Sequence, residues 1–427
     1  MKKIGFIEVL ALVIGNMIGA GSYMMPTTLA KYGFYAVIGW AITSIGAIFL
    51  AVLFSKMFVL DPTEGGPYIY AQKKFGKFIG FQMALGYWLM CPIGSASLVI
   101  SIISNLCVFF PSLETNTVLS VLISISIVGL FTYINLKGIH DALFVQVLVT
   151  ILKLVPLIVF SVFSIFYFDT GKLFANKILI TDISPWNAIL SSASVTIWTF
   201  IGLESATIPN GIKTNIITKA TILGVTITAV LYIVSLIGIM CIMPNQVLSE
   251  SFSPFGDSTR TLFGGFLGNV MTIGSLICFI GSLNGWILIQ GQVAYQASLS
   301  GLFPKIFQKH NKNGAPIYGI MIGSVIIIAM VLWQQSNTLS EQFEQTILLA
   351  SFATLIPYIY FCAAAYITFY SSKTPNYNWM SISIIAFLFS ICVMIGAGKD
   401  TIAIGSVVFL LISPLYIFVR QTKKNIK

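Results

Sequence analysis

Charge is the scarcest property of this sequence. Only 8% of its 427 residues are Asp, Glu, Lys or Arg, whereas 57% are hydrophobic. A soluble globular domain carries about 25% charged residues. The composition therefore excludes a soluble globular protein and predicts an integral membrane protein.

Metal ligands and catalytic motifs are also scarce. The chain has two histidines, His140 and His310, and neither has a second ligand at metal-binding spacing. The six cysteines lie in apolar segments without a CxxC pair, which favours small buried hydrophobic residues over disulfides or ligands. The sequence also lacks a phosphate-binding glycine loop, a nucleophile elbow and a carboxylate pair, and its loops are short. We therefore expect no enzyme activity, no metal and no cofactor.

Long apolar runs are abundant instead. A bilayer core of about 30 Å requires about 20 apolar residues in a helix. We therefore predict an all-α membrane protein in which residues 1–427 form a single domain of twelve transmembrane helices. The predicted helices lie near residues 7–29, 34–58, 79–110, 118–137, 143–168, 189–211, 218–242, 268–295, 316–336, 345–369, 379–397 and 402–420.

The basic residues are distributed unevenly between the two sides of this predicted membrane domain. Seventeen of the 23 fall on the side that carries both termini, five fall in loops on the other side, and Lys153 lies inside a helix. The positive-inside rule then places both termini in the cytoplasm and requires an even number of spans. The net charge of +10 is thus explained by topology and the lipid bilayer, and we expect no nucleic-acid partner.

Two similar stretches, residues 19–26 and 202–209, interrupt the first and sixth apolar runs. Each has Gly, then Ser three positions later and Pro four positions after that, so each is a place where a helix can break. Paired breaks in corresponding halves indicate the binding site of a transporter. The two stretches are five runs apart, an odd number, which predicts two inverted repeats followed by two extra helices. Their expected limits are about 7–168, 189–369 and 379–420. A simpler alternative for the first stretch is close helix packing through the GxxxG step of Gly15 and Gly19.

Two ionisable residues lie inside predicted spans. Glu204, at the second break, is either a gate or proton-linked group, or a structural carboxylate that caps amides of its own broken helix. Lys153, in the fifth run, either replaces a coupling sodium ion beside the first break or extends to the membrane surface.

Aromatic residues in the middle of spans have two interpretations as well. Trp198 and Trp286 lie away from the interfacial belts where tryptophan is common. They either stack on a flat or cationic substrate group as lids, or pack against protein and lipid. The same alternatives apply to Tyr87 and Tyr358, whose hydroxyls need buried partners, and Glu204 is one candidate.

Three motifs together resemble a known family: residues 15–21 (GNMIGAG), 198–206 (WTFIGLESA) and 281–286 (GSLNGW). They are similar to signatures of the amino acid–polyamine–organocation (APC) superfamily. The similarity extends almost end to end and is strongest to its bacterial arginine/agmatine antiporters. The resemblance implies a multi-pass exchanger of the bacterial inner (cytoplasmic) membrane, usually a homodimer, with twelve spans and breaks in helices 1 and 6.

The resemblance also implies site residues. The substrate carboxylate is expected at the amides of the first break, its α-amino group at carbonyls of the second, and its side chain along Trp286. The implied substrate-binding residues are Met17, Gly19, Ala20, Gly21, Met90, Cys91, Ser95, Leu98, Trp198, Ile201, Trp286, Ala350 and Ser351. The implied gating residues are Tyr87, Trp198, Glu204, Trp286 and Tyr358, and Lys153 resembles the lysine of sodium-independent members of the superfamily.

The sequence departs from those antiporters at residues that would bind the substrate's head group. Ser95 replaces an asparagine, Ala20 and Ala350 replace serines, and Pro92 replaces an aromatic residue. A site with fewer polar partners discriminates less between head groups. The predicted function is antiport, by alternating access, of a cationic amino acid such as arginine for its decarboxylated amine, agmatine. The alternatives are a proton-coupled or facilitative permease of different specificity and, from another class, a channel or a non-transporting scaffold.

Overall fold

The computed structural model describes residues 5–62, 66–137, 142–204, 214–333, 335, 337–372 and 374–421. Within these residues the secondary structure is helical apart from one isolated bridge, which confirms the predicted all-α class. The α-helices are α1 (Phe6–Met17), α2 (Ala20–Ala30), α3 (Tyr35–Leu60), α4 (Tyr68–Phe75), α5 (Lys77–Cys107), α6 (Ser112–Thr115), α7 (Thr117–Lys137), α8 (Ala142–Ser164), α9 (Thr170–Ala175), α10 (Pro185–Thr196), α11 (Thr214–Ile242), α12 (Asn245–Ser249), α13 (Pro254–Phe263), α14 (Gly265–Leu299), α15 (Ile317–Trp333), α16 (Leu339–Tyr370), α17 (Tyr377–Gly396), α18 (Lys399–Ile412) and α19 (Tyr416–Gln421). Short 3-10 helices span Ile165–Tyr167, Ile197–Phe200, Lys305–Gln308 and Ser413–Leu415.

Nine segments of the described chain are long and apolar enough to cross a membrane, and each coincides with a predicted run. The ninth predicted run forms α15, an apolar helix of 17 residues. The sixth and twelfth runs are interrupted, by the 3-10 helices Ile197–Phe200 and Ser413–Leu415 respectively. Pro414 lies at the start of the second of these, where its missing N–H prevents α18 from continuing regularly.

Helix α7 shows how lipid reverses the usual pattern of burial. Its buried residues include Ser120, Ser124 and Asn135, whereas Val118 and Leu122 are exposed. Lipid is as apolar as a leucine side chain, so exposure of apolar residues costs little and small polar residues can mediate contact between helices. The buried serines bond to backbone carbonyls, as Ser124 Oγ does to the Ser120 carbonyl at 2.8 Å. This pattern fits a helix at the edge of a membrane bundle.

Helix α5 lies at the centre of the bundle. Every residue from Gly80 to Asn105 except Ile93 is buried. It packs against α14, α15 and α16, and the Trp88 indole donates a hydrogen bond of 2.9 Å to the Gln290 carbonyl of α14. The first half-helix, α1, packs against α8 and α11, and α10 packs against α3 and α17. Helix α2, which follows the first break, contacts α5, so the first break lies beside this largely buried helix.

The cysteines follow the sequence expectation with one exception. Five are buried and all six are free, but Cys392 on α17 is exposed. The prediction of burial is wrong there because the outer face of α17 is also apolar and exposed, as at Leu388 and Ile395. For the histidines, His310 packs its ring 4.5 Å from that of Tyr295, whereas His140 lies outside the described residues.

Candidate functional site

The first helix break lies between α1 and α2. Helix α1 ends at Met17, and Gly19 has an extended backbone (φ −157°, ψ −145°) before α2 begins at Ala20. The Gly19 carbonyl accepts hydrogen bonds from the Ser22 hydroxyl (2.6 Å) and the Ser22 N–H (3.1 Å). Pro26 lies inside α2, so the chain breaks at the glycines rather than at the proline.

The second break follows α10. The 3-10 helix Ile197–Phe200 leads to Ile201 in extended conformation and then to Gly202 with φ of +104°. Glycine adopts this positive φ without the steric cost that a Cβ would impose. Tight turns supply some of the backbone partners, with Ile201 N–H bonded to the Trp198 carbonyl and Leu203 N–H to the Phe200 carbonyl, both at 3.2 Å. Pro209 lies outside the described residues.

A small cavity lies between the two breaks. Its volume is about 20 Å³, which is enough for about one water molecule. Helices α1, α2, α5 and α14 and the second break all contribute to its wall. The lining residues are Asn16, Met17, Gly19, Gly21, Leu98, Trp198, Thr199, Ile201 and Trp286.

Seven of the predicted substrate-binding residues line this cavity. Sequence reasoning missed Asn16 and Thr199, although both lie inside the motifs quoted above and each adjoins a predicted residue. The backbone conformation at the two breaks identifies Asn16 and Thr199 as site residues. A polar residue at the end of a broken half-helix lies beside unpaired backbone groups, and the motif alone does not show where the half-helix ends.

The remaining predicted binding residues lie elsewhere. Met90, Cys91, Ser95, Ala350 and Ser351 are buried on α5 and α16 and do not line the cavity, and the Ala20 side chain is not described. The Ser95 hydroxyl donates to the Cys91 carbonyl of its own helix at 2.8 Å. Ser351 Oγ is buried without a hydrogen-bond partner in the described part of the chain. Their contact with substrate stays a prediction.

Trp198 is positioned between two glycines. A Cβ on Gly94 of α5 would overlap the Trp198 indole ring, and a Cβ on Gly21 of α2 would lie 3.2 Å from its Cδ1 atom. The absence of side chains at both positions lets the indole lie directly against two helices, where it is 8% exposed. Trp286 is half-buried on another wall of the cavity. Trp198 and Trp286 thus form two parts of the cavity wall, and a gating role for either stays a prediction.

A buried carboxylate links the second break to two other helices. The Tyr87 hydroxyl of α5 donates to Glu204 Oε1 at 2.6 Å, and the Tyr358 hydroxyl of α16 donates to Oε2 at 2.8 Å. All three side chains are buried. Tyr87 precedes Leu98 by eleven residues, or about 16 Å along α5. This buried contact therefore lies between the cavity-lining Leu98 and the N-terminal end of α5.

A buried lysine lies beside the first break. Lys153 of α8 is 2% exposed, and its Nζ lies 3.5 Å from the Gly15 carbonyl near the end of α1. The Lys153 carbonyl accepts a hydrogen bond of 2.8 Å from the Tyr23 hydroxyl of α2. Helix α8 is thereby joined to both halves of the broken first helix. This burial does not fit a side chain that extends to the membrane surface.

A second, larger cavity of about 550 Å³ lies near the C-terminal end of α2, and we call it the vestibule. Its wall includes one lysine, Lys31, which forms an ion pair with Glu344. Burial and this carboxylate raise the pKa of the Tyr32 hydroxyl, which therefore stays protonated and donates to Glu344 at 3.3 Å. Four carboxylates against one ammonium make the vestibule attractive to cations. The four are Glu114, Glu250, Glu341 and Glu344.

In the described part of the chain, α1 and the 3-10 helix after α10 both lose helical conformation at one small cavity inside an apolar bundle, which is the arrangement of a secondary transporter. The comparison with known protein families agrees. The model of the family described as "Amino acid permease" matches residues 4–419, and the chain belongs to this family.

Several characterised or named proteins are similar to this chain over nearly its whole length. The cadaverine/lysine antiporter of Escherichia coli (strain K12) is 30% identical over 426 residues, covering 97% of this chain and 94% of the relative. The arginine/agmatine antiporter of Chlamydia felis (strain Fe/C-56) is 29% identical over 451 residues, covering 100% and 92%. The putative arginine/ornithine antiporter of Bacillus subtilis (strain 168) is 28% identical over 458 residues, covering 98% and 97%.

Proposed function

We propose that this protein is an antiporter that exchanges a cationic amino acid for the amine formed by its decarboxylation, across the bacterial inner membrane. The observation that carries the proposal is the cavity between the two breaks, whose walls combine residues of both breaks, such as Gly19 and Ile201, with Trp198 and Trp286. The relatives support it, because their names pair lysine with cadaverine and arginine with agmatine or ornithine.

The substrate's backbone groups fit the chemistry of the two breaks. Helix α2 begins beside Gly19 and Gly21, and the N-terminus of a helix favours an anion such as the α-carboxylate. Carbonyls around Trp198 and Ile201 accept hydrogen bonds from the α-ammonium group. An amine that lacks the carboxylate still keeps an ammonium group and the apolar chain, so one site can accept both exchange partners.

The substrate's cationic end is attracted by charge rather than by a dedicated polar partner. The vestibule carries the negative charge, whereas the Ser95 hydroxyl, at the position where the resembling antiporters bind guanidinium, already donates within its own helix. The indole of Trp286 lies on the cavity wall, and an indole face attracts both ammonium and guanidinium groups. We therefore propose that lysine and arginine are both substrates and that neither is strongly excluded.

The orientation and assembly are proposals of the same kind. The distribution of basic residues supports cytoplasmic termini, which places the vestibule on the outer face and the Tyr87–Glu204–Tyr358 contact on the cytoplasmic side. We propose a homodimer on the family resemblance. Labelling of single cysteines by an impermeant reagent and chemical cross-linking in membranes test the two statements separately.

Counterflow in liposomes tests the function. Purified protein is reconstituted into vesicles that contain lysine, arginine, ornithine, cadaverine, agmatine or buffer alone, and uptake of labelled lysine and arginine is measured. We expect uptake only into vesicles preloaded with a cationic amino acid or amine. Equal uptake into buffer-loaded vesicles would identify a facilitative permease, and accumulation driven by an imposed proton gradient alone would identify a symporter.

A further inference from the structure

The wall of the vestibule contains a buried hydroxyl group that the fold does not use. Thr28 of α2 lies on this wall and is 2% exposed, and its Oγ1 atom has no hydrogen-bond partner among the described residues. Its neighbour Thr27, by contrast, donates to the Ser251 carbonyl at 3.0 Å. A buried hydroxyl without a partner is unfavourable and uncommon in folded proteins, so Thr28 points to a bound ligand.

A second unused acceptor lies beside the vestibule, on α5. Asn105 is 1% exposed, and its Nδ2 atom donates to the carbonyls of Ser101 (3.1 Å) and Phe252 (3.2 Å) and lies 3.4 Å from Met24 Sδ. Phe252 and Met24 both line the vestibule. The Oδ1 atom of Asn105 has no hydrogen-bond partner within the described part of the chain. Thr28 Oγ1 and Asn105 Oδ1 can each accept a hydrogen bond from a ligand.

Lys31 shows how an ammonium group is accommodated in the vestibule. Its Nζ atom forms an ion pair with Glu344, a residue that also accepts a hydrogen bond from Tyr32. Glu114 and Glu250 lie on the same wall, are exposed, and form no ion pair with any described residue. The vestibule therefore keeps negative charge after Lys31 is counted, and a second ammonium group is attracted to it.

The size of the vestibule favours an organic cation over a metal ion. Calcium and magnesium require several oxygen ligands at about 2.0–2.6 Å, whereas the described residues contain no group of three or more Asp, Glu, His or Cys that could hold a metal. A volume of about 550 Å³ lies within the range of about 300–1,000 Å³ that is typical of small-molecule sites. Carboxylate, hydroxyl and amide oxygens all accept hydrogen bonds from the three donors of a primary ammonium group.

Helix α2 joins the vestibule to the cavity between the breaks. Gly21 lines the cavity, whereas Met24 and Thr28 line the vestibule. Residues three and seven positions after Gly21 lie on the same face of the helix, and Thr28 is about 10 Å from Gly21 along its axis. A ligand in the vestibule is therefore about two helical turns from the proposed substrate site.

We propose that the vestibule is a second binding site, which takes the primary ammonium group of a cationic amino acid or a diamine before the ligand enters the cavity. This inference rests on the proposed transport function. Thr28 and the carboxylates hold the ammonium group. A diamine binds more tightly than the amino acid, because the wall repels the α-carboxylate that only the amino acid carries.

Equilibrium binding of labelled cadaverine and labelled lysine to purified protein tests the site. Trp286→Leu removes an indole from the wall of the cavity between the breaks, and we expect this variant to keep one saturable cadaverine site per chain. Addition of Thr28→Val should weaken that site about tenfold and leave the unfolding temperature of the empty protein unchanged. Thr221→Val is the matched control, because Thr221 Oγ1 is also buried without a described partner but lies on α11, away from the vestibule.

A pair of acid variants separates a binding site from diffuse attraction. Glu250→Gln, at an exposed carboxylate of the wall, should weaken cadaverine binding about threefold. Asp400→Asn removes the same charge from an exposed residue of α18 that does not line the vestibule, and it should leave the affinity unchanged. If Trp286→Leu does not fold, titration of the wild type should show two saturable phases, of which Thr28→Val weakens one.

Four outcomes overturn the proposal. They are the absence of saturable cadaverine binding in folded Trp286→Leu, an unchanged affinity on addition of Thr28→Val, equal effects of Glu250→Gln and Asp400→Asn, and tighter binding of labelled calcium than of cadaverine. Wild-type protein without counterflow would refute the antiport proposal instead, and the binding measurements would still decide whether the vestibule is a site. Failure of one proposal is thus distinguishable from failure of the other.

Discussion

The two helix breaks differ in how their backbone groups find hydrogen-bond partners inside the membrane. The first break has no ionisable residue of its own, and its carbonyls are contacted by side chains of other helices, the ammonium of Lys153 and the hydroxyl of Tyr232. The second break satisfies part of its backbone internally through tight turns and carries an acid, Glu204, that contacts two tyrosines. The first break therefore contacts hydrogen-bond donors of other helices, whereas the second break offers a carboxylate acceptor to the tyrosines of α5 and α16.

This difference separates two tasks. The partners that the first break finds on other helices lie on α8 and α11, which favours a fixed position relative to those two helices. A break that holds α5 and α16 through one carboxylate changes its contacts when that carboxylate changes its charge. We infer that the first break is mainly a fixed binding surface and that the second is the moving part of the gate.

The largest expected loss of exchange activity is at the wall of the cavity between the two breaks. Trp286→Leu should abolish exchange while the protein still folds, because the half-buried indole faces the cavity rather than the core. Counterflow and thermal unfolding are measured in parallel. Trp333→Leu is the control, since Trp333 is 53% exposed on α15. Near-normal exchange by Trp286→Leu would remove this residue from the site.

The next effect tests whether the first break depends on a donor from outside. Lys153→Ala should lower exchange about 10- to 100-fold, since a hydrogen bond from a charged donor contributes about 1.5–3 kcal/mol. Replacement of sodium by choline should leave wild-type transport unchanged. Lys172→Ala, at an exposed lysine of α9, serves as the control. Sodium-driven accumulation by the wild type, or full activity of Lys153→Ala, would show that the ammonium does not stand in for sodium.

A smaller effect tests the second break as a switch. A carboxylate accepts from both tyrosines, whereas a protonated carboxyl must donate from one oxygen, so one bond of the Tyr87–Glu204–Tyr358 contact is weakened. Wild-type exchange should therefore rise as pH falls into the mildly acidic range. Glu204→Gln, which cannot ionise, should show a flat pH profile within a few-fold of the wild-type acidic rate. Asp400→Asn, at an exposed acid of α18, is the control, and an unchanged profile in Glu204→Gln would exclude Glu204 as the sensor.

The smallest expected effect is a difference in stability between alanine variants of the two glycines, Gly19 and Gly202. Gly202 has φ of +104°, so Gly202→Ala should destabilise the protein by about 1–3 kcal/mol. Gly19 has a negative φ of −157°, and a Cβ there would meet Ser282 Oγ at 3.3 Å and Ser282 Cβ at 3.7 Å. Gly19→Ala should therefore lower the unfolding temperature in detergent less than Gly202→Ala does. A larger loss of stability in Gly19→Ala than in Gly202→Ala would contradict this comparison of the backbones.

Composition and hydrophobic runs predict the fold class well, because lipid requires long apolar helices whatever their packing. The limits of α3 lie within two residues of the predicted run, and α11 ends at the predicted residue and begins four residues earlier. The interruption of the sixth run was predicted at residues 202–209, and the 3-10 helix begins slightly earlier, at Ile197. The interruption of the twelfth run was not predicted, since an apolar stretch reads the same whether its backbone is α-helical or 3-10. The first break lies at the predicted glycines, and Pro26 lies within α2.

The site was predictable only where its chemistry is unusual for a membrane. Glu204 and Lys153 stand out because a charge inside a span needs a specific partner. Tyr232 gave no such signal, because a tyrosine in an apolar run is ordinary until the fold brings Met17 and Thr199 to the same side of its ring. Contacts that join residues more than 200 positions apart depend on the packing of whole helices, and no local pattern encodes them.

The small cavity also bears on how a measured affinity is interpreted. A space of about 20 Å³ holds about one water molecule, so an amino acid that binds between the breaks, as we propose, requires side chains of the wall to move. Trp198, which packs against Gly94, is one of these side chains. The free energy of the rearrangement weakens every binding affinity, and substrates with a longer or bulkier side chain recover part of it through more contact area. We infer that the packing of Trp198 between two glycines sets a lower limit on ligand size, independently of any group that recognises the ligand.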